Sequence, residues 1–466
     1  MKMIKADHKK PVDVLWGTIL FLLVLAGCSK TYPQDQVGES IQKICRDEYA
    51  IENIEVKIIG ETIGVYLPIK KLFAVDLKEV LSKAQGKVES VENLFQPAPE
   101  AMDQVEDVLF SISRVLLSTE KKLNFYTLQA TDVERTGLQL VLTGNVDDIK
   151  RVRLWDISRE EYRKRILHEI RLNRAVVWHR PVRSLFETLQ KAPSLETFDT
   201  FFSGPLTAET IESLFFFNPN QIKGNPLRWE WGEFRSTPYQ STQVLVYAPV
   251  TLRYNPREVP PGSVHVPSGT LLEYIFVVSF EGEIPQVIRA IPLTYLDSSG
   301  KVQKLKSVGE FNVAKDLKTW EAEFPFHEVV LGDFLAEQLT RRTQNLIYMD
   351  ERIHNTFDTI QLAFRYEKGA AASRPHFSLE LEMKQKVPTF SAAPSPALDE
   401  DVLYLLNLVS REFVNVLRSY QFSDYEFLRL TFGPERAARI IQREDLELFR
   451  QKKIDMAGLI KGIPSL

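Results

Sequence analysis

The sequence predicts a multidomain α+β protein in which helix-strand-strand modules at both ends of the chain flank a central, mainly antiparallel β domain. An apolar stripe with helical spacing, followed by runs of alternating apolar and polar residues, occurs near the start of the chain and again near its end. Between them lie β-branched and aromatic runs bounded by Pro, Gly, Asn and Ser. The length of 466 residues allows about three domains.

The composition is that of an ordinary folded protein. Hydrophobic residues make up 44% of the chain and charged residues 26%, which excludes a disordered, collagen-like or polytopic membrane chain. The 58 Lys and Arg residues against 62 Asp and Glu residues give a formal charge of -4. A protein that grips nucleic acid through its phosphates needs a strongly basic surface, so the charge argues against a nucleic-acid partner.

The first 27 residues have the pattern of a secretory signal peptide. Four lysines precede an apolar run from Val14 to Leu25, which is interrupted only by Gly17 and Thr18. A helix of about 12 residues is only about 18 Å long, which is too short for the roughly 30 Å hydrocarbon layer of a bilayer. The segment therefore predicts a signal peptide over residues 1–27, with an uncleaved anchor as the alternative.

The run Leu25-Ala26-Gly27-Cys28 closes this segment. It resembles the lipobox of bacterial lipoproteins. The resemblance implies that the Cys28 thiol is diacylglycerylated, that the chain is cut before Cys28, and that the new amino group is acylated. Membrane lipid is then a partner of the chain through acylated Cys28, because several acyl chains together hold a protein stably on a bilayer.

Ser29 follows the predicted lipidation site. In bacteria with two membranes, Asp at this place retains lipoproteins in the inner membrane, so its absence resembles an outer-membrane address that faces the periplasm. Residues 28–36 form the predicted linker, and the eight residues after Cys28 reach at most about 27 Å when extended. The first folded module is therefore expected close to the bilayer.

Two helix-strand-strand modules follow the linker, over residues 37–99 and 100–225. The first module has a helix at Val37–Tyr49 and strands at Ile54–Ile58 and Ile63–Leu67. The second has an apolar helical stripe from Val105 to Leu116, strands at Phe125–Ala130 and Leu138–Leu142, and a mainly helical extension over residues 181–225.

A basic segment lies inside the second module. Ser158 and Glu161 have the spacing of a capping box, which predicts a helix from Arg159 to about Leu172. Residues 151–180 carry nine Lys or Arg residues against four acidic residues, a local charge of +5. Two interpretations are open: a solvated helix face, or a surface that contacts anionic lipid headgroups or an acidic partner.

The rest of the chain divides into four parts. Residues 226–325 form the β-rich domain, with strands at Leu227–Phe234, Gln243–Tyr254, Leu271–Phe280 and Val287–Leu296. Residues 326–386 form a mixed segment with a helix at Asp333–Ile347 and strands at Thr359–Tyr366 and Phe377–Met383. Residues 387–397, with three Pro and three Ala, form a linker before the C-terminal α+β module at 398–466.

The apolar helical stripes of the second and the C-terminal modules superpose at one offset. The coinciding positions are Val105 with Val402, Val108 with Leu405, Leu109 with Leu406, and Ile112 with Val409. A Ser-Arg pair follows in both segments. The match indicates a divergent repeat, with chance similarity between two amphipathic helices as the alternative.

No pattern carries a catalytic or metal-binding signature. None of the seven His residues has a second His or a Cys at a metal-ligand spacing, and the chain contains neither Gly-x-Ser-x-Gly nor Gly-x-Gly. We therefore expect no metal, no cofactor and no catalytic residue. The acidic runs Asp147-Asp148 and Asp399-Glu400-Asp401 are expected at helix starts, where negative charge favours the helix dipole.

Cys45 is the one thiol that remains if Cys28 is lipidated, so no intrachain disulfide is expected. It lies beside Ile41 and Ile44 on a helical stripe. This position favours a buried apolar thiol over a reactive or intermolecular one.

Trp229 and Trp231 are the candidate ligand-binding residues. On a strand they point to one face, while Arg228 and Glu230 point to the other. Two indoles on one face of a strand form a platform for sugar rings if they are exposed. The same alternation is required of a strand that faces a hydrophobic core, and that interpretation is the alternative.

These observations favour a non-catalytic envelope lipoprotein that acts as a scaffold or accessory subunit by binding another envelope protein. The first alternative is a lipoprotein that binds glycan or peptidoglycan with the aromatic residues of the β domain. The second alternative is an envelope hydrolase with a cleft lined by carboxylates, which sequence alone cannot locate.

Overall fold

A computed structural model describes residues 32–74, 97–134, 136–282, 284–308, 311–369, 374–386, 400–432 and 438–461. The signal segment 1–27, Cys28 and the linker 387–397 lie outside the described residues. The described chain contains helices and several antiparallel sheets, so the prediction of a multidomain α+β fold is confirmed. Among the described residues, no helix has both the length and the apolar character needed to cross a bilayer.

Residues 37–172 form the first unit, a five-stranded sheet with helices on one face. Its elements are α1 (Val37–Tyr49), β1 (Glu55–Ile59), β2 (Thr62–Ile69), α2 (Pro99–Leu117), β3 (Phe125–Asp132), β4 (Leu138–Asn145), α3 (Val146–Arg153), α4 (Arg159–Arg165) and β5 (Leu167–Leu172). The strand order is β1-β2-β3-β4-β5. Only the pair β2–β3 is parallel, and α2 lies in the long crossover that a parallel pair needs. The boundary suggested at residues 99 and 100 falls inside this sheet, because β2 pairs with β3.

The first sheet is buried on both faces. Val65, Leu128 and neighbouring apolar side chains face α1 and α2. The opposite face carries polar residues such as Gln139, which is fully buried. A segment around Phe326 crosses this face, and Gly64 permits the close approach, because a Cβ atom there would lie 2.7 Å from the Phe326 ring.

The prediction of one helix from Arg159 to about Leu172 is wrong. The helix ends at Arg165, and β5 pairs antiparallel with β4, with Ile170 opposite Leu140 and Leu172 opposite Leu138. Apolar and polar residues alternate in the segment that forms β5, as a strand requires. The outer edge of β4 has backbone N–H and C=O groups that a strand can pair with and a helix cannot. Tertiary pairing therefore overrides the local helical preference.

The central domain joins three helices to a six-stranded sheet. Its helices are α5 (Arg174–Lys191), α6 (Leu195–Phe201) and α7 (Ala208–Phe215). Its main strands are β6 (Leu227–Trp231), β7 (Arg235–Gln240), β8 (Gln243–Tyr254), β9 (Thr270–Ser279) and β10 (Gln286–Pro292). The short elements that follow are β11 (Thr294–Leu296), β12 (Val302–Lys304), β13 (Ser307–Val308), β14 (Phe311–Asn312), α8 (Val313–Asp316) and β15 (Glu321–Ala322).

The central sheet has the order β10-β9-β8-β7-β15, with β6 also paired to β8. All its pairs are antiparallel, as the sequence predicts. The helices α5 to α7 share one aromatic core with it, in which Phe186 contacts the rings of Tyr274 and Phe276. The helical extension of residues 181–225 thus packs on the central sheet.

Residues 331–461 form the second unit. Its elements are α9 (Leu331–Met349), α10 (Glu351–Thr356), β16 (Phe357–Glu367), β17 (His376–Gln385), α11 (Glu400–Ser419), β18 (Phe427–Phe432), β19 (Ala438–Gln442), α12 (Arg443–Arg450) and α13 (Met456–Lys461). The strand order is β16-β17-β18-β19, and only the central pair β17–β18 is parallel.

The second unit repeats the topology of the first. In both, a helix and an antiparallel strand pair are followed by a crossover helix, a second antiparallel pair and two short helices. The stripe residues Val108 and Ile112 are buried in α2, as Leu405 and Val409 are in α11. The common topology supports the divergent-repeat interpretation.

The two units differ in what covers their sheets. The first has the additional strand β5 at the outer edge of β4. In the second, the described residues place no strand beyond β19. The face opposite the helices is also different, because the second sheet exposes Gln361, Glu380 and Arg429 there.

Candidate functional site

The predicted tryptophan pair does not form an exposed platform. Trp229 is 2% exposed and packs against Phe186 and Phe217, with ring centroids 5.3 and 6.2 Å apart. Trp231 is half-buried, with the guanidinium of Arg183 6.0 Å from its ring. The alternation along β6 points both indoles towards the core beneath α5. Trp229 is therefore a core residue, and neither face of its ring is accessible to a sugar.

Cys45 is fully buried in the core of the first unit, as the sequence predicts. Burial raises the pKa of its thiol, which keeps the reactive thiolate form scarce. Within the described ranges, no group of three or more His, Cys, Asp or Glu side chains is arranged to hold a metal ion.

Asp147 and Asp148 both lie in the first turn of α3, as expected for acidic residues at a helix start, but neither is the capping residue. The cap of α3 is Asn145, whose side chain accepts a hydrogen bond of 2.8 Å from the Asp147 N–H. Asp148 is buried and accepts hydrogen bonds from Arg165 Nη1 at 2.9 Å and from Tyr420 Oη at 2.7 Å. Because Tyr420 belongs to the second unit, the carboxylate joins the two units.

The second acidic run lies partly outside the described residues, which begin again after Asp399. Glu400 and Asp401 occupy the first turn of α11, as expected for residues at a helix start. Asp401 also accepts from the guanidinium of Arg352 at 2.6 Å.

A buried polar cluster, the polar junction, lies where the first sheet, α5 and the central sheet meet. His179 Nδ1 lies 2.8 Å from Glu323 Oε1, and His179 Nε2 lies 2.9 Å from Ser236 Oγ. A carboxylate only accepts, so the Nδ1–H donates to Glu323 and Nε2 accepts from the Ser236 hydroxyl. The order of hydroxyl, imidazole and carboxylate is that of a nucleophile activated by a base.

The polar junction is sealed from solvent. Ser236 and His179 are both 0% exposed, and the strand of Ser236 is paired on both sides. Glu323 also accepts from Arg183 Nη2 at 2.7 Å and from Tyr66 Oη at 3.4 Å. Ser236 is therefore closed to solvent, and the contact between Tyr66 and Glu323 joins the first sheet to the central domain.

The sequence gives no signal for the polar junction. Ser236 lies 57 residues and Glu323 144 residues from His179 along the chain. Neither spacing belongs to a local motif, and only the packing of α5 against both sheets brings these side chains together.

A second region, the Trp155 surface, consists of Phe110, Arg153, Leu154 and Trp155 with the two exposed arginines of α4, Arg159 and Arg163. Three of its apolar side chains are strongly exposed: Trp155 at 84%, Leu154 at 71% and Phe110 at 51%. The Arg153 guanidinium lies 5.9 Å from the Phe110 ring.

The backbone presents Trp155 at a left-handed turn. Its φ is 63°, a conformation that glycine adopts most readily and that costs other residues about 1–2 kcal/mol. Hydrogen bonds from the N–H groups of Leu154 to Lys150 O at 2.9 Å and of Asp156 to Arg151 O at 2.8 Å close the turn. A large apolar side chain thus occupies a position where Gly is expected, and it points into solvent.

The surroundings of Trp155 are basic. Residues 150–164 carry six basic side chains and three acidic ones, a formal charge of +3. Lys150 and Lys164 are paired with acids on the same helix. Arg153, Arg159 and Arg163 are exposed, and the described part of the chain offers them no ion-pair partner. Their charges are therefore available to an anion.

An open cleft of about 1050 Å³ separates the start of β5 from one side of α9. Arg342 lines it and pairs with Glu161 at 3.1 Å and with Glu412 at 2.6 Å. Arg341 pairs with Glu337 at 2.7 Å. Arg341 and Arg342 are therefore neutralised by carboxylates, and Arg163 is the lining arginine for which the described residues offer no ion-pair partner.

The outer edge of β19 has backbone groups that point away from β18. The ladder continues with Arg443 N–H donating to Glu426 O, so residues 439 and 441 also bond towards β18. The N–H and C=O groups of Ala438, Ile440 and Gln442 therefore point outwards.

The first unit shows how the matching edge is used. There the bond from Asn173 N–H to Gly137 O continues the ladder between β4 and β5. The outward backbone groups of Gln139, Val141 and Thr143 consequently pair with β5. In both units the outward residues lie on the sheet face opposite the helices, so the two edges are equivalent.

Comparison with family models, with curated proteins and with solved structures finds no match for this chain.

Proposed function

We propose that this protein is a lipid-anchored envelope lipoprotein that acts without catalysis, as a scaffold or accessory subunit for an envelope protein. Its lipid anchor is Cys28, and its membrane is the outer membrane, with the folded body in the periplasm. The run Leu25–Cys28 supports the anchor, and Ser29 supports the outer-membrane address. The outer edge of β19, beyond which the described residues place no strand, supports a role in binding another protein.

The observation that carries the proposal is the difference between two equivalent sheet edges. The edge of β4 is paired with β5, whereas the described residues leave the edge of β19 without a strand. An extended segment of a partner that runs antiparallel to β19 would complete the second sheet as β5 completes the first. Backbone hydrogen bonds supply affinity in this mode, and alternate side chains supply specificity.

The side chains around β19 define the chemistry of the partner segment. On the helix side, Ile441 is buried, which favours an apolar neighbour. On the solvent side, Ile440 lies opposite Arg429, which is exposed and has no ion-pair partner among the described residues. The segment is thus expected to alternate apolar residues with polar residues. One of the polar residues is expected to be an acid beside Ile440, about 10 Å from the Arg429 backbone and within reach of its long side chain.

Site-specific photocrosslinking in the native host tests this docking site. A photoreactive residue at Ile440 should capture an envelope protein through an extended, acid-containing segment, identified by mass spectrometry of the crosslinked peptide. The same residue at Gln361, which is exposed on the opposite edge strand of the same sheet, is the control. Arg429→Glu should reduce capture at Ile440. Equal capture at both positions, or no captured envelope protein at Ile440, would rule out this docking site.

Metabolic labelling with a tagged fatty acid tests the anchor. The wild-type chain should incorporate the label, and Cys28→Ala should abolish it, because no other residue is predicted to be acylated. The chain has two cysteines, so Cys45→Ala is the matched control and should remain labelled. Labelling that persists in Cys28→Ala would contradict the anchor.

A further inference from the structure

We infer that the Trp155 surface is a second membrane contact, in which Leu154 and Trp155 enter the lipid interface while nearby arginines bind anionic headgroups. The inference rests on the proposed lipid anchor and extends it, because it defines which side of the molecule faces the bilayer. The lipid is the occupant on three grounds: the path from the anchor, the exposed apolar tip and the unpaired positive charge.

The first ground is the short path from Cys28 to this surface. Tyr32 lies four residues after Cys28, so it stays within about 14 Å of the lipidated residue even if the chain between them is extended. Tyr32 pairs with Thr119 and interacts with the side chain of Arg114. The anchored chain therefore enters the folded body beside the C-terminal end of α2.

The same side of α2 leads to Trp155. Phe110 lies four residues before Arg114, so the two side chains are neighbours on one face of the helix. The Phe110 ring meets the Arg153 guanidinium, and Leu154 and Trp155 follow directly. A continuous surface connects the anchoring point to the exposed indole.

The second ground is the chemistry of the loop tip. Leu154 and Trp155 are among the most exposed large apolar side chains of the described residues. They stand on an exposed turn between α3 and α4, whereas a small-molecule ligand usually binds in a concave site. Trp favours the boundary between water and lipid, where its ring is buried and its N–H stays hydrated.

The third ground is the charge around the tip. Arg153, Arg159 and Arg163 are exposed and unpaired among the described residues. The exposed acids between them are Asp156 and Glu160, and Glu160 is paired with Lys164. Basic side chains beside an interfacial Trp are attracted to anionic lipid. An anionic lipid surface can bind the exposed indole and the unpaired arginines at the same time. The left-handed backbone at Trp155 points the indole away from the protein, towards such a surface.

Fluorescence quenching by brominated lipids tests the contact. The full acylated protein is placed on vesicles of phosphatidylcholine alone, or of equal parts phosphatidylcholine and phosphatidylglycerol, with bromine on the acyl chains. Quenching of the wild-type protein is expected on both vesicles, and it should be greater when phosphatidylglycerol is present. Trp155→Phe should lose this quenching, whereas Trp231→Phe, which changes a half-buried indole of the central domain, should retain it.

A charge variant separates the two parts of the contact. Replacing Arg153, Arg159 and Arg163 together by Gln should remove the extra quenching caused by phosphatidylglycerol, while replacing the exposed Arg257 by Gln should leave it unchanged. Sedimentation with neutral vesicles reports the acyl anchor independently. Protein that sediments with neutral vesicles but shows no Trp155-dependent quenching overturns this inference and leaves the anchor intact, as an acidic protein partner would predict. Protein that fails to sediment with them disproves the anchor.

Discussion

At the scale of single residues, the polar junction joins the first sheet to the central domain. His179, Ser236 and Glu323 have the connectivity of a catalytic group, yet all three are buried between packed sheets. Buried polar groups persist where each finds a partner, and a complete network fixes the relative positions of the elements that supply it. The polar junction therefore predicts a dependence of stability on pH.

Acidification should destabilise the protein through His179. Burial is the largest cause that lowers the pKa of His179 below its usual 6.5, so the unfolded chain binds a proton that the folded chain does not. The free energy of unfolding should fall as the pH drops below about 6.5, by at most about 1.4 kcal/mol per pH unit for one proton. His179 and Arg183 hold the pKa of Glu323 below its usual 4.5 despite burial, so protonation of Glu323 in the unfolded chain adds a further loss below that pH.

Urea unfolding at pH 7 and pH 5 measures this effect. The variant His179→Gln should be less stable than the wild type at pH 7 and should lose less stability between the two pH values. His265→Gln is the control, because His265 is exposed and lies outside the polar junction, with Glu212 as its partner at 2.6 Å. If His179→Gln keeps the full wild-type pH dependence, the role assigned to His179 is wrong.

At the scale of elements, the spacing of apolar residues predicts a helix or strand correctly where the local sequence determines the structure. It fails where pairing with a distant segment determines the structure. The helix Val37–Tyr49 and the strand Gln243–Tyr254 have the bounds that the sequence predicts, because their apolar spacing is long and regular. The segment 167–172 follows a capping box that predicts a helix. It forms a strand because it pairs with the outer edge of β4. Residues beyond the local window set its structure, so no local pattern predicts it.

The candidate sites divide in the same way. Burial of Cys45 follows from its place on an apolar stripe, and the sequence predicts it. For Trp229, alternation is compatible with either face of the strand, and only the packing of α5 against β6 decides that the indole is buried. The basic segment 151–180 is visible in the sequence, but the exposure of Trp155 within it depends on a left-handed turn that no sequence pattern indicates.

At the scale of the whole molecule, two units of like topology are held together by buried charge. Asp148 of the first unit accepts hydrogen bonds from Arg165 and from Tyr420 of the second unit. The ring of Tyr420 also lies 5.1 Å from the Arg165 guanidinium. Because a buried ion is costly when its partner is removed, the relative position of the units should depend strongly on this carboxylate.

Asp148→Asn should therefore destabilise the protein by about 3–5 kcal/mol, since it leaves the buried Arg165 without one of its two carboxylate partners. Tyr420→Phe should cost about 1.5–3 kcal/mol, because it removes one hydrogen bond to a charged carboxylate and retains the ion pair. Asp147→Asn is the matched control, because the Asp147 carboxylate is exposed and its pair with Lys150 should contribute at most about 1 kcal/mol. Chemical unfolding followed by near-ultraviolet circular dichroism measures all three variants. Equal losses for Asp147→Asn and Asp148→Asn would show that the buried carboxylate does not hold the two units together.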